Sequence, residues 1–332
     1  MPIDRHARRF LEMLAAAGES QGRYETAEER RAGLRNLTRL VDPPVSEIGG
    51  ARDRLLAVDD GMIALRVYSP DAVPARILPG IMFFHGGGWV AGDLETHDGT
   101  CRRLANESGC RVVAVDYRRA PEHPFPHGFE DCLAATRHVA LRAQDFGIDA
   151  ARLGVAGDSI GGGFAAGICL AARDAGSPSI LFQLLLCPIL DPLTESASRS
   201  ELQKGYFLDR AAMERDLELY LPPGVAPGDF RLSPLQAKNF AGLPPAYIHT
   251  AQFDPFSDEG DAYARRLIDA GVAVQGRNHP GMIHFFYAMP RMIPYAGEAM
   301  ALIGAQIRHA VQLPKLRERR AQIRVRLEAI RA

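Results

Sequence analysis

The pentapeptide Gly157-Asp158-Ser159-Ile160-Gly161 constrains this chain more than any other stretch. It lies between a short apolar run, Leu153 to Ala156, and a small-residue segment of helical character, Gly162 to Arg173. A G-x-S-x-G pattern set between a strand and a helix is a nucleophile elbow: the serine takes a strained backbone geometry and its hydroxyl stands clear of the sheet. The flanking glycines are required because a side chain there would collide with the adjoining strand and helix. Alone the pattern is weak, since Gly and Ser populate turns for conformational reasons.

A second segment strengthens it. The apolar run Ile81-Met82-Phe83-Phe84 leads straight into His85-Gly86-Gly87-Gly88-Trp89. Three adjacent glycines after a strand leave backbone N–H groups bare. Acyl transfer develops negative charge on the former carbonyl oxygen, and a fixed donor aimed at it is worth about 10²–10³ in rate. The N–H that follows the serine, that of Ile160, supplies the other half of such an oxyanion site.

A serine hydroxyl needs a base to take its proton and a carboxylate to orient that base. Where an elbow of this type carries catalysis, the chain order is serine, acid, histidine. His249, His279, His284 and His309 lie well downstream. His249 sits inside the strand-like Ala246 to Thr250 and reads as a core histidine; His309 falls in a regular helical stretch and reads as a surface residue. His279 precedes Pro280 and reads as a turn residue. His284 follows the strand-like Val272 to Arg277 and precedes Phe285-Phe286-Tyr287, an aromatic cluster suited to walling an acyl site, and is the expected base. Asp254 lies just past the strand Ala246 to Thr250, where open α/β sheets place their sites, and is the expected acid. Asp258 is held in reserve, because it and Glu259 suit the first turn of the next helix.

With these segments the chain resembles the hormone-sensitive-lipase branch of the bacterial α/β-hydrolase esterases. The likeness rests on the His-Gly-Gly-Gly loop, the Gly-Asp-Ser-x-Gly-Gly elbow, Asp254-Pro255-Phe256-Ser257-Asp258-Glu259, the His284-Phe285-Phe286 base segment, and Tyr117-Arg118-Arg119-Ala120-Pro121-Glu122-His123-Pro124-Phe125-Pro126, and covers about residues 45 to 310. It implies an α/β-hydrolase fold with a mostly parallel sheet covered on both faces and a helical cap. It also implies hydrolysis of short- to medium-chain acyl esters by Ser159, Asp254 and His284, with Gly87, Gly88 and Ile160 as oxyanion donors and no cofactor or metal. An amidase or arylformamidase with the same machinery is the alternative, and a non-catalytic ligand receptor on a hydrolase scaffold is an alternative of another class.

Two residues depart from the family pattern. Ile160 replaces the usual Ala after the serine and is expected to reshape one wall of the site. Arg119 replaces the usual Leu, with no reason visible in the sequence. Asp158 is expected to bond nearby backbone N–H groups, as an Asp at a tight turn does. The Pro121 to Pro126 run reads as an extended loop entering a helix near Phe129 rather than as a site around His123.

Composition sets the outer bounds. The 332 residues carry a formal net charge of -1, which argues against a nucleic-acid partner. Five scattered cysteines without metal spacing read as reduced core thiols of a cytoplasmic protein. The charged amino terminus lacks an apolar signal region, and no apolar run reaches membrane-spanning length.

Alternating strands and helices from about Arg52 to Ala310 predict the parallel sheet, with an opening hairpin around Asp59-Asp60-Gly61 and a buried strand in Ile180 to Leu190. The expected division is cap helices at 1–45, a catalytic core at 46–193 and 237–310, a second cap segment at 194–236, and an amphipathic basic helix at 311–332. That last helix suits an acidic or membrane surface, or docking on the protein body or a second subunit as a homodimer; docking is the expectation.

Overall fold

The computed structural model describes residues 1–16, 26–42, 47–70 and 76–312. Eight strands form one sheet: β1 (Gly50–Val58), β2 (Gly61–Ser69), β3 (Leu78–Phe84), β4 (Arg111–Asp116), β5 (Ile148–Asp158), β6 (Gln183–Leu186), β7 (Ala246–Phe253) and β8 (Val274–Ile283). Their order is β1-β2-β4-β3-β5-β6-β7-β8. β2 pairs antiparallel with β1 and with β4, and every other pairing is parallel, so the sheet is mostly parallel. The hairpin forms where the sequence places it, with Val58 opposite Gly61.

The helices are α1 (Arg5–Ala16), α2 (Ala27–Val41), α3 (Asp98–Ser108), α4 (His127–Leu141), α5 (Ile160–Ala175), α6 (Ala197–Glu201), α7 (Arg210–Tyr220) and α8 (Ser257–Asp269), with α9 over 295–312. Parallel strands need right-handed crossovers. The chain steps one way from β3 to β4 and the other way from β4 through β8, which places α3 on one face and α4, α5 and α8 on the other. α9 joins the α3 face, its Gly304 lying against Glu107. Covered on both sides, β3 reads Leu-Pro-Gly-Ile-Met-Phe-Phe and is buried throughout, the continuous apolar pattern of a parallel core strand.

Two segments differ from expectation. The strand in Ile180 to Leu190 shrinks to the four residues of β6, because Cys187 turns to a positive φ of 43° and Pro188 has no N–H to continue a ladder. β8 runs six residues past Arg277, so His279 is not a turn residue but a buried strand residue. It faces His249 at 3.0 Å and Tyr295 Oη at 2.9 Å, contacts made across the sheet that local sequence does not show. Beyond 312, the basic segment lies outside the described residues.

Candidate active site

β3 is the switch point of the sheet: its neighbours β4 and β5 are reached by connections of opposite direction, which opens a crevice beyond the strand ends. Phe84 pairs with Gly157 at the ends of β3 and β5, so the glycine loop and the elbow leave the sheet side by side. The elbow holds Ser159 at φ 54° and ψ -123°, a strained conformation for a residue with a side chain. A Cβ on Gly161 would lie 2.0 Å from the Phe84 carbonyl oxygen, so only glycine lets α5 start this close to β3. Ser159 N–H donates to Leu186 at 2.9 Å and its carbonyl accepts from Ile189 at 2.9 Å, which fixes the elbow to the end of β6.

Gly87 and Gly88 hold φ of 127° and 64° in the loop after β3. Among the described residues no backbone carbonyl accepts from the N–H groups of Gly87, Gly88 or Ile160, which leaves them available to a ligand. The loop is braced from behind. Tyr117 stacks on His85 at 4.1 Å and donates its hydroxyl to the His85 carbonyl at 2.6 Å. Arg119, unexplained in the sequence, donates to the Gly92 carbonyl, and Ala120 N–H donates to the Trp89 carbonyl at 3.0 Å. The segment after β4 therefore supports the glycine loop directly, a role that its distance along the chain conceals.

Asp158 joins loop and elbow. Fully buried, it accepts the Gly86 N–H at 3.0 Å on Oδ1, and on Oδ2 the Tyr287 hydroxyl at 3.2 Å, with His97 Nε2 at 3.3 Å. Burial raises its pKa, but His97 and the Gly86 amide outweigh burial and hold the carboxyl below its usual value. The expected bond to the turn's own backbone gives way to one across the sheet: the amide that Asp158 accepts belongs to Gly86, 72 residues away in the chain, and neither it nor His97 and Tyr287 had a local signal.

Asp254 follows β7 and His284 follows β8, adjacent strands whose residues Phe253 and Ile283 are paired. His284 Nδ1 lies 2.8 Å from Asp254 Oδ2, and Asp254 Oδ1 accepts the Phe256 N–H at 2.9 Å. Asp258 instead accepts the Ser198 N–H at 2.9 Å from the first turn of α8, as the helix-start reading expects. His249 is a buried β7 histidine and His309 is exposed, both as expected.

Ser159 and His284 line one cavity of about 250 Å³ together with Gly87, Gly88, Trp89 and Phe285. The aromatic cluster divides its labour: Phe285 faces the cavity, Phe286 stacks on Tyr295, and Tyr287 turns to Asp158. The remaining wall includes Leu34 of α2 and Met213 and Leu217 of α7. Cys187 completes the acid's surroundings; its ligand-capable atom and those of Asp254 and His284 lie within 4.8 Å of one another. Burial, and then the Asp254 charge, push the thiol's pKa well up, so it keeps its proton. The direct bond between His284 and Asp254 suits proton handling more than cation binding.

A family profile described as alpha/beta hydrolase fold matches residues 81–288. The chain is 43% identical over 287 residues to esterase LipI of Mycobacterium tuberculosis, covering 82% of this chain and 85% of that protein. It is 34% identical over 300 residues to an ethyl acetate hydrolase of Pseudomonas putida, covering 87% of this chain and 94% of the relative. Among solved structures, the ester hydrolase EH1AB1 from the metagenome of Lake Arreo superposes with a TM-score of 0.87 at 41% identity, covering 92% of this chain and 98% of that one. A serine on a strained elbow, a histidine bonded to a carboxylate across one cavity, and esterase relatives along most of the sequence lead to one conclusion: the chain belongs to the hormone-sensitive-lipase-like family of α/β-hydrolase esterases and is a carboxylesterase.

Proposed function

We propose that the chain hydrolyses short- to medium-chain acyl esters through a triad of Ser159, His284 and Asp254 and an acyl-enzyme intermediate. The observation that carries this reading is the 2.8 Å bond between His284 Nδ1 and Asp254, which directs Nε2, the other ring nitrogen, to the proton-accepting role on the cavity that Ser159 also lines. In that scheme His284 takes the Ser159 proton as the oxygen attacks the ester carbonyl. The tetrahedral oxyanion is held by the N–H groups of Gly87, Gly88 and Ile160. His284 then gives its proton to the departing alcohol, and water activated by the same imidazole releases the acid and restores the serine. Asp254 holds the ring in the tautomer that leaves Nε2 free.

The acyl range follows from the room available. A cavity of about 250 Å³ is at the small end for ligand sites. α1, α2 and the segment holding α6 and α7 act in this reading as a cap that limits chain length and excludes water. The name of the ethyl acetate hydrolase, a short ester's enzyme, points the same way.

A chain-length series of p-nitrophenyl esters, run beside matched anilides, tests substrate class, and stoichiometric labelling by an organophosphonate that is lost in Ser159→Ala tests the nucleophile. Turnover that peaks at short or medium acyl chains and favours ester over amide is expected. Equal turnover of long-chain triacylglycerols, or labelling that persists in Ser159→Ala, would overturn the reading.

A further inference from the structure

The carboxylate of Asp216 in α7 rests on the glycine loop. A Cβ built on Gly88 would lie 2.3 Å from Asp216 Oδ2, so beside the strain of a φ of 64° any larger residue would push the carboxylate from its place. From α2, Arg30 Nε meets the same oxygen at 3.2 Å. The two side chains are only 10% and 9% exposed, and both line the cavity that holds Ser159. Burial raises the carboxyl's pKa and Arg30 opposes that rise.

A buried ion pair gives little stability over apolar side chains of equal volume. Two helices that had only to touch would be served as well by leucine and methionine. The place of this pair gives it an electrical role. Beside the Gly88 amide and away from water, an unpaired carboxylate would oppose the developing oxyanion, and an unpaired guanidinium would attract any anion. Of the other charged groups lining the cavity, Arg210 with Glu195 and with Glu214 is 41–54% exposed and screened by solvent, Arg199 donates to the Thr194 and Pro192 carbonyls, and the buried His97–Asp158 pair braces the elbow.

We propose that the Arg30–Asp216 pair sets the charge specificity of the active site, keeping the wall beside the glycine loop neutral so that uncharged esters are accepted and esters bearing a carboxylate are rejected. This rests on the triad and oxyanion assignments above.

The test measures kcat/KM for monoethyl glutarate, which carries a carboxylate, against ethyl hexanoate, which does not, in the unaltered enzyme, Arg30→Met, Asp216→Asn and the double variant. Organophosphonate labelling of Ser159 normalises each preparation to its competent fraction. Asp216→Asn is expected to raise the glutarate-to-hexanoate ratio about 10-fold or more, on the scale of one uncompensated charge in a poorly solvated site, and Arg30→Met to lower it by less, because the buried carboxyl can take up a proton once the guanidinium is gone. The double variant is expected to return the ratio to within about 3-fold of the unaltered enzyme, since neither charge then remains. A mere latch between α2 and α7 would lower both substrates alike, and singles that leave the ratio unmoved or shift it the same way overturn the proposal. Asp216→Asn carries the test by itself if Arg30→Met does not fold, because an arginine keeps its charge without a partner. Failure of the unaltered enzyme to be labelled would sink the triad reading; labelling with an unmoved ratio sinks only the charge assignment.

Discussion

The Gly86 amide donates to Asp158 Oδ1 at 3.0 Å, which makes the glycine loop and the nucleophile elbow a single mechanical unit. Asp158→Ala leaves that amide and the Tyr287 hydroxyl without this acceptor in a buried place. The expected result is a fall in kcat of about 10²-fold, the scale of one misplaced oxyanion donor, with a smaller change in KM. Steady-state kinetics on p-nitrophenyl butyrate with a thermal melt check it, and an unchanged kcat would show that the loop holds its shape without Asp158.

Asp254→Asn is expected to lower turnover by about 10⁴-fold on the serine-protease precedent, because the amide favours the wrong imidazole tautomer. Asp258→Asn is the matched control, since its carboxylate serves the Ser198 N–H and does not meet His284 in the structure. Comparable losses in the two variants would remove the distinction between acid and reserve.

Gly161→Ala is expected to fold poorly or not at all. Its methyl would lie 2.0 Å from the Phe84 carbonyl oxygen, and backbone on both sides leaves nothing flexible to give way. Soluble yield and melting temperature provide the measurement, and a native melting temperature would contradict the close approach of α5 to β3.

Acid should loosen the fold. Burial, the first cause in each case, holds His249 down to about 4, His279 to about 3 and His85 to about 3, against an ordinary 6.5. These rings stay neutral in the folded state while the unfolded chain protonates them. Their contribution is therefore full above 6.5 and is lost as pH falls from 6.5 toward 3. Glu259, pushed up to about 8 by burial, works in the opposite sense as pH rises from 4.5 to 8, as do Asp116, Asp216 and Asp261, whose carboxyls burial also raises. Urea midpoints at pH values across this range should fall toward the acid end, and His249→Asn should flatten the slope. A midpoint that is flat between neutral and weakly acid pH would contradict the neutral pairing of His249 with His279.

The five cysteines, Cys101, Cys110, Cys132, Cys169 and Cys187, are buried, and burial raises the pKa of each. None should react quickly with an aromatic disulfide reagent in the native state, and all should react in denaturant, because the attacking species is an exposed thiolate. A rapid native equivalent would locate an opening in the core.

The parts of the site legible in the sequence were those whose chemistry demands a local pattern. The elbow needs glycines on both sides of Ser159, the donor loop needs glycines after an apolar strand, and Asp254 and His284 each follow a strand. What escaped was set by packing between distant segments. Arg119 has meaning only once the Gly92 carbonyl lies beside it, and Asp216 only once Gly88 and Arg30 surround it. His279 was misplaced for the same reason: a His-Pro pair suggests a bend, and the strand persists because His249 and Tyr295 satisfy the ring from outside the segment.

β8 forms one border of the sheet and delivers His284 from its far end, well past the elbow in the order of synthesis. Under the triad assignment, a half-synthesised chain already owns its nucleophile and donor loop but has no imidazole to awaken them. On that assignment, reactivity is withheld until the last strand has been laid down.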